Sequence, residues 1–246
     1  MLVKWSYNSI SRGPLMGERI RAKTFPARTP RLLGICVALA AFTLSSACDG
    51  GDGTNKVNGT VHVPAGKEAT SAHTVNGSIH IDDNATVTSA GTVNGNVHLG
   101  AHASAASLNT VNGSVSLGEG AHATGGVESV NGDLTFSSGA DVARGVSNVN
   151  GKITLNTAHI GGGIHTVNGS ITINGASHVE GGILVKKPSG NLFNTEDPVI
   201  IIGPGATVQG DLRFERKVRL YVSDKATIGT VTGATPVSFT GDTPPP

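Results

Sequence analysis

The sequence predicts an all-β protein, a parallel β-solenoid whose coils repeat about every 18 residues. Three observations predict it. Val-Asn-Gly recurs with the Asn at Asn58, Asn76, Asn94, Asn112, Asn131, Asn150 and Asn168, at intervals of 18, 18, 18, 19, 19 and 18. Apolar residues keep a fixed phase to each Asn. Val61, Ile79, Val97, Val115, Leu134, Ile153 and Ile171 come three residues after it, and Val63, Ile81, Leu99, Leu117, Phe136, Leu155 and Ile173 come five after. Aromatics are only 4% of the chain and charged residues 14%, against 35 Gly, so any core is thin and aliphatic, with turns at regular places.

Asn-Gly between alternating apolar residues is also the strongest hairpin signal, and seven hairpins would make an antiparallel barrel or meander. A membrane barrel needs strands of about ten residues and aromatic girdles, which this chain lacks. A near-constant repeat favours stacking, because parallel coils place identical residues about 4.8 Å apart, whereas a meander gains nothing from identical neighbours. The hand of the coil is left open by the pattern, with right-handed the expectation. Each coil should hold strands of two to four residues with their apolar positions inward. The Gly after each Asn should supply a positive φ at a corner. The Asn side chains should stack as an amide ladder that fixes the register.

Along the chain, residues 1–47 read as a signal peptide, with Met16 a second candidate start. Leu32–Leu44 is a thirteen-residue uncharged run behind a basic stretch ending at Arg31. That is too short to span a bilayer and the right length for the apolar region of an export signal. The segment carries a formal charge of +6, and the remainder −5. A mildly acidic mature domain does not bind nucleic acid, because that needs clustered Lys and Arg. Leu44-Ser45-Ser46-Ala47-Cys48 resembles a bacterial lipobox, which implies lipidation of Cys48 and a membrane anchor. It departs from the pattern in placing Leu four residues before the cysteine, and ordinary cleavage after Ser46-Ala47 is the alternative. Cys36 lies inside the apolar run, so one cysteine would remain after processing and no internal disulfide could form.

Residues 48–56 read as a flexible tether and 57–187 as the Asn-Gly-repeat solenoid. The ladder ends where Lys186 and Lys187 replace Asn and Gly. Residues 188–198 read as a loop insertion, 199–233 as C-terminal coils and a distinct cap, and 234–246 as a disordered tail. The basic strip Arg213, Arg216, Lys217 and Arg219 falls within the cap. Open sheet edges at both ends of the coil invite self-association.

The units TVNGSI, TVNGNV, TVNGSV and SVNGDL resemble those of a bacterial adhesin-type β-solenoid family over residues 57–185. The later IIGPGATVQGDL is similar, over a few tens of residues, to a coil of the bactofilins, polymer-forming bacterial scaffolds with a β-helix. An export signal sits poorly with a bactofilin's cytosolic cytoskeletal role. Both resemblances imply a fold, and neither family has a catalytic apparatus to carry over.

His62, His80 and His98 occupy one repeat position between the two inward columns, continued by Ser116, Thr135, Thr154 and Thr172. They should form an outward polar column with no carboxylate nearby. Imidazoles one strand apart could share a transition metal, but a solvated face is the reading preferred here, with no metal and no cofactor. His73 and His165 lie five coils apart and cannot form one site. Asp82 and Asp83 read as turn residues. No nucleophile elbow, P-loop, paired CxxC or HExxH occurs. The expectation is therefore a non-enzymatic, exported structural or assembly element of the bacterial cell envelope. The alternative is an adhesin-like module that contacts an envelope polysaccharide or protein through His62, His80 and His98 or through Arg213, Arg216 and Arg219. An extracellular glycan-active enzyme is a minor third reading.

Overall fold

The computed structural model describes residues 54–188 and 196–244. The export segment, Cys48 and most of the tether lie outside the described residues. Among those described there is no helix, and the chain winds as a β-solenoid of about ten coils. Every strand pairs in parallel with its counterpart one coil on. One face is a ten-stranded narrow sheet running from Val61–Val63 to Val237–Phe239. The other is a sixteen-stranded wide sheet that begins with Thr54–Asn58.

The register follows the repeat. Val61 pairs with Ile79, Ile79 with Val97, Leu134 with Ile153, and Ile171 with Ile200. Alternation puts both flanking residues of each three-residue strand inside and the middle one outside, as in Val61–Val63, Ile79–Ile81 and Val97–Leu99. From the wide sheet come inward columns of small and branched residues, such as Ala105, Ala123, Val142, Ile160 and Val179, all buried. Opposing columns of Leu, Ile and Val against Ala and Val fill a thin core without aromatic bulk. Among the described residues Phe136 is the one fully buried aromatic.

Several expectations change. Strands are not uniformly short: Glu68–Asn76, Thr86–Asn94 and Ser104–Asn112 each run nine residues. From the next coil on this long strand is cut in two, as His122–Ala123 and Val127–Asn131. The cause is one added residue in a glycine-containing stretch (Thr124-Gly125-Gly126), which also accounts for the 19-residue interval between Asn112 and Asn131. Not every apolar position faces inward either. The Val before each Asn lies on the outer surface, Val57 being 49% exposed, because it is out of phase with the inward columns. Inside at the preceding residue are Thr74, Thr92, Thr110, Ser129, Asn148 and Thr166, all buried.

The domain limits shift as well. Thr54, Asn55 and Lys56, expected in the tether, pair with Ala72, His73 and Thr74 as the first strand. Val237–Phe239, expected in a disordered tail, pairs with Tyr221–Ser223, and Phe239 is 5% exposed. Residues 199–233 are not a distinct cap. Leu212–Phe214 and Arg219–Ser223 are ordinary coil strands of the wide and narrow sheets.

Candidate functional site

The Asn column forms one continuous amide ladder. Each Asn Nδ2 donates to the Oδ1 of the Asn one coil earlier, from Asn76 to Asn58 through Asn168 to Asn150, at 2.7–3.0 Å. Parallel stacking in register makes this possible, because the same atom of every coil meets the same atom of the next. The ladder has a direction: donors face the N-terminal end and acceptors the C-terminal end.

Beneath it runs a second polar column. The Thr74, Thr92 and Thr110 hydroxyls donate to the carbonyls of Gly59, Gly77 and Gly95 in the preceding turn, at 2.9–3.2 Å. Ser129 Oγ and Asn148 Nδ2 do the same to Gly113 and Gly132. Buried polar groups need partners, and the turn carbonyls supply them. In the next coil the register corrects the expectation, since Val185 pairs with Thr166 and so Lys186 takes the Val place and Lys187 the Asn place; the inner position becomes Val185 and then Phe214, both buried. The turn glycines supply the expected positive φ, Gly59 at 100° and Gly151 at 118°, and most of them also serve stacking. Gly77, Gly95, Gly113 and Gly132 have φ of 155–159°, within the positive range that L residues rarely adopt. A Cβ on any of them would lie only 1.9–2.2 Å from the glycine carbonyl oxygen of the coil before. The left-handed corner is elsewhere, at Gly66, Asn84, His102, Gly120, Gly139 and Thr157, with φ of 53–72°.

The expected surface residues divide into two groups. His62, His80 and His98 do form an outward column in register. A carboxylate is present after all: Asp82 Oδ2 lies 2.7 Å from His62 Nε2, because the turn after Ile81 folds back toward the first coil. The His80 and His98 rings are 6.1 Å apart, and His98 Nδ1 meets Ser116 Oγ at 2.8 Å. Asp82, Asp83, His98, Ala65 and Gly100 line a shallow depression.

The basic strip, by contrast, is largely engaged within the fold. Arg213 pairs with Glu215 at 3.0 Å and Lys217 with Asp197 at 3.0 Å. Arg216 Nη1 donates to Asn168 Oδ1 at 2.5 Å and to Val167 O at 3.3 Å, while Nη2 reaches Glu196 O. Arg216 is thus a closing piece of the ladder. Arg219 is exposed on its strand.

A second titratable column was missed in the sequence. His122, Asp141, His159 and His178 pair in register on the wide sheet. Asp141 Oδ2 meets His122 Nδ1 at 2.5 Å, Asp141 Oδ1 meets His159 Nδ1, and His159 Nε2 meets Glu180 Oε1 at 3.2 Å. The His159 and His178 rings stack 5.7 Å apart at 19°. The hydrogen bond that its Nδ1 makes to Asp141, helped by Glu180, holds the His159 imidazole above its ordinary range despite partial burial. These residues lie ten, ten, nine and ten positions after their Asn, so a varying turn length hid the column from a fixed count. The signal that finds it is the buried residue following each one: Ala123, Val142, Ile160 and Val179.

His73 and His165 are pushed below the usual imidazole range by burial, His165 also by the charge of Lys186. Among the described residues no three His, Cys, Asp or Glu side chains converge to hold a metal ion. No protein-family model matches the chain, nor does any curated protein or solved structure.

Proposed function

We propose that the chain is an exported, lipid-anchored, non-catalytic rod that serves as a structural or assembly element of the bacterial cell envelope. The observation that carries this reading is the unbroken seven-rung Asn ladder, which repeats one surface coil after coil and concentrates chemistry nowhere along its length. Anchoring follows from Cys48 and the apolar run before it. With the anchor only six residues before Thr54, the rod's first coil is tied within about 20 Å of the membrane surface. The first strand, Thr54–Asn58, is exposed at all five positions and offers an edge to a second copy. Lys56 on that edge and Pro64 in the same coil limit such pairing, as charges and prolines do at natural sheet edges.

The test has two parts. Cys48→Ala should abolish fatty-acid labelling and release the protein from membranes, and unchanged membrane association would remove the anchor from this reading. Electron microscopy and light scattering of the protein over a concentration series should show growth if the ends associate. A monomeric rod at every concentration would rule that out.

One observation favours an adhesin-like second reading. His62, His80 and His98 stand in register on the outer face of the first three coils, as a periodic strip that a repeating polymer or an envelope protein could follow. Because Arg213 and Arg216 are engaged within the fold, contact would fall on this strip and Arg219. Loss of polysaccharide binding in a His62, His80, His98 triple substitution would favour it. Turnover of any polysaccharide would instead point to a glycan-active enzyme.

A further inference from the structure

We propose that His122, Asp141, His159 and Glu180 form a proton-operated bolt across four successive coils, closed when His159 is an imidazolium and open when it is neutral. The geometry requires a proton count. Both ring nitrogens of His159 face carboxylate oxygens, Nδ1 toward Asp141 and Nε2 toward Glu180. Ionised carboxylates only accept hydrogen bonds, and a neutral imidazole carries a single N–H. With His159 neutral, one contact must set a lone pair against a lone pair. With His159 protonated, both become charge-assisted bonds, while His122 Nδ1 donates to the other oxygen of Asp141.

The bolt's position gives it leverage. Here the long strand of the wide sheet has broken into pieces of two residues, His122–Ala123, Asp141–Val142, His159–Ile160 and His178–Val179. Each pairs with its neighbour over two residues, so backbone bonding is thinner than in the nine-residue strands before it. Side chains that link one coil to the next supply what the short strands lack. The column is bounded by neutral residues, Ser104 on one side and Thr207 on the other. His178 stacks on His159 and would repel it as a second cation, so one added proton, not two, closes the bolt. The other charged or titratable groups of these coils are Glu119, Glu128, Asp133, Arg144, Lys152, His165, Lys186 and Lys187. Partial burial opposes the proton, and Asp141 and Glu180 outweigh it, since His159 titrates above its ordinary range.

The sign follows from that raised value. The stabilisation is full below the unfolded imidazole range, near pH 6.5, and is lost as pH rises through the folded value. The region therefore tightens on mild acidification, the reverse of the usual response of a histidine buried as the neutral form.

The experiment follows the His159 ring by NMR in the full chain while melting curves are recorded between about pH 5 and about pH 8. His159 should titrate above 6.5, and the melting temperature should fall across that interval. His159→Gln should flatten most of the fall, and Glu180→Gln should move the His159 midpoint to lower pH. Amide exchange at Asp141–Val142 and His159–Ile160 should quicken on the alkaline side, before the rest of the solenoid opens. A His159 midpoint at or below 6.5, or a His159→Gln profile parallel to the parent's, would overturn the proposal.

Discussion

Arg216 Nη1 lies 2.5 Å from Asn168 Oδ1, the last acceptor of the Asn ladder, although the two residues are 48 positions apart in the chain. Six bonds leave the five Asn from Asn76 to Asn150 each with one amide donor given and one carbonyl accepted from. Asn168 would be left with an open acceptor, because in register with Thr166 and Val185 it is Lys187 that stands where the next Asn would be. The guanidinium fills that place and also takes Val167 O and Glu196 O.

Arg216→Ala should therefore destabilise the solenoid by about 2 kcal/mol, the range for hydrogen bonds to a charged donor. Arg216→Lys should recover part of it, since an ammonium supplies donors but not the planar fork. Denaturant titration measures both, and an alanine variant within about 0.5 kcal/mol of the parent would show that the closure adds no stability.

The ladder's direction makes the same substitution unequal at two places. Aspartate accepts but does not donate. At Asn112 it would lose the bond to Asn94 Oδ1 and set a carboxylate against that oxygen, costing about 1–2 kcal/mol. At Asn58 only the acceptor role toward Asn76 is used among the described residues, so Asn58→Asp should stay within about 0.5 kcal/mol of the parent. Equal losses at the two sites would contradict the polarity of the ladder.

Asn148 is the odd member of the buried polar column. Its Nδ2 reaches Gly132 O, but its Oδ1 is buried with no hydrogen-bond partner. Asn148→Thr places at this site the hydroxyl used at Thr92 and Thr110 and removes the unpaired acceptor. A gain of about 1 kcal/mol is expected, read as a rise in melting temperature.

Both a positive φ and stacking demand glycine in the Asn-Gly turn. A Cβ on Gly95 would sit 1.9 Å from Gly77 O, and neither atom belongs to a flexible side chain. Gly95→Ala should force the coils apart and cost about 3 kcal/mol or more, at the upper end of overpacking penalties. Loss of amide protection at the neighbouring turns would locate the damage. An alanine variant as stable as the parent would mean that the turns are not in such close contact.

Much of the fold was legible because a solenoid turns linear periodicity into space directly. Residues 18 apart become neighbours at the same height on adjacent strands, so a column found by counting is a column in three dimensions. The Asn ladder and the inward columns around Val61, Ile79 and Val97 could be read this way. Counting failed where turn length changed by one residue, which hid His122, Asp141, His159 and His178. It failed again for the Val before each Asn, because apolar character alone does not say which face a strand residue takes. Val57 fits a strand by its branched side chain while standing exposed, and the buried place beside it went to Thr.

The sequence by itself determined the repeat, the parallel stacking, the register and the aliphatic core, since each depends on spacing that winding preserves. Only the tertiary structure decided what Arg216, Asp82 and Glu180 are for. Their partners, Asn168, His62 and His159, lie 48, 20 and 21 residues away. Those separations match no coil length, because the side chains reach across from a different point on the turn. Which atom meets which then depends on corner geometry and side-chain length, and neither repeats from coil to coil.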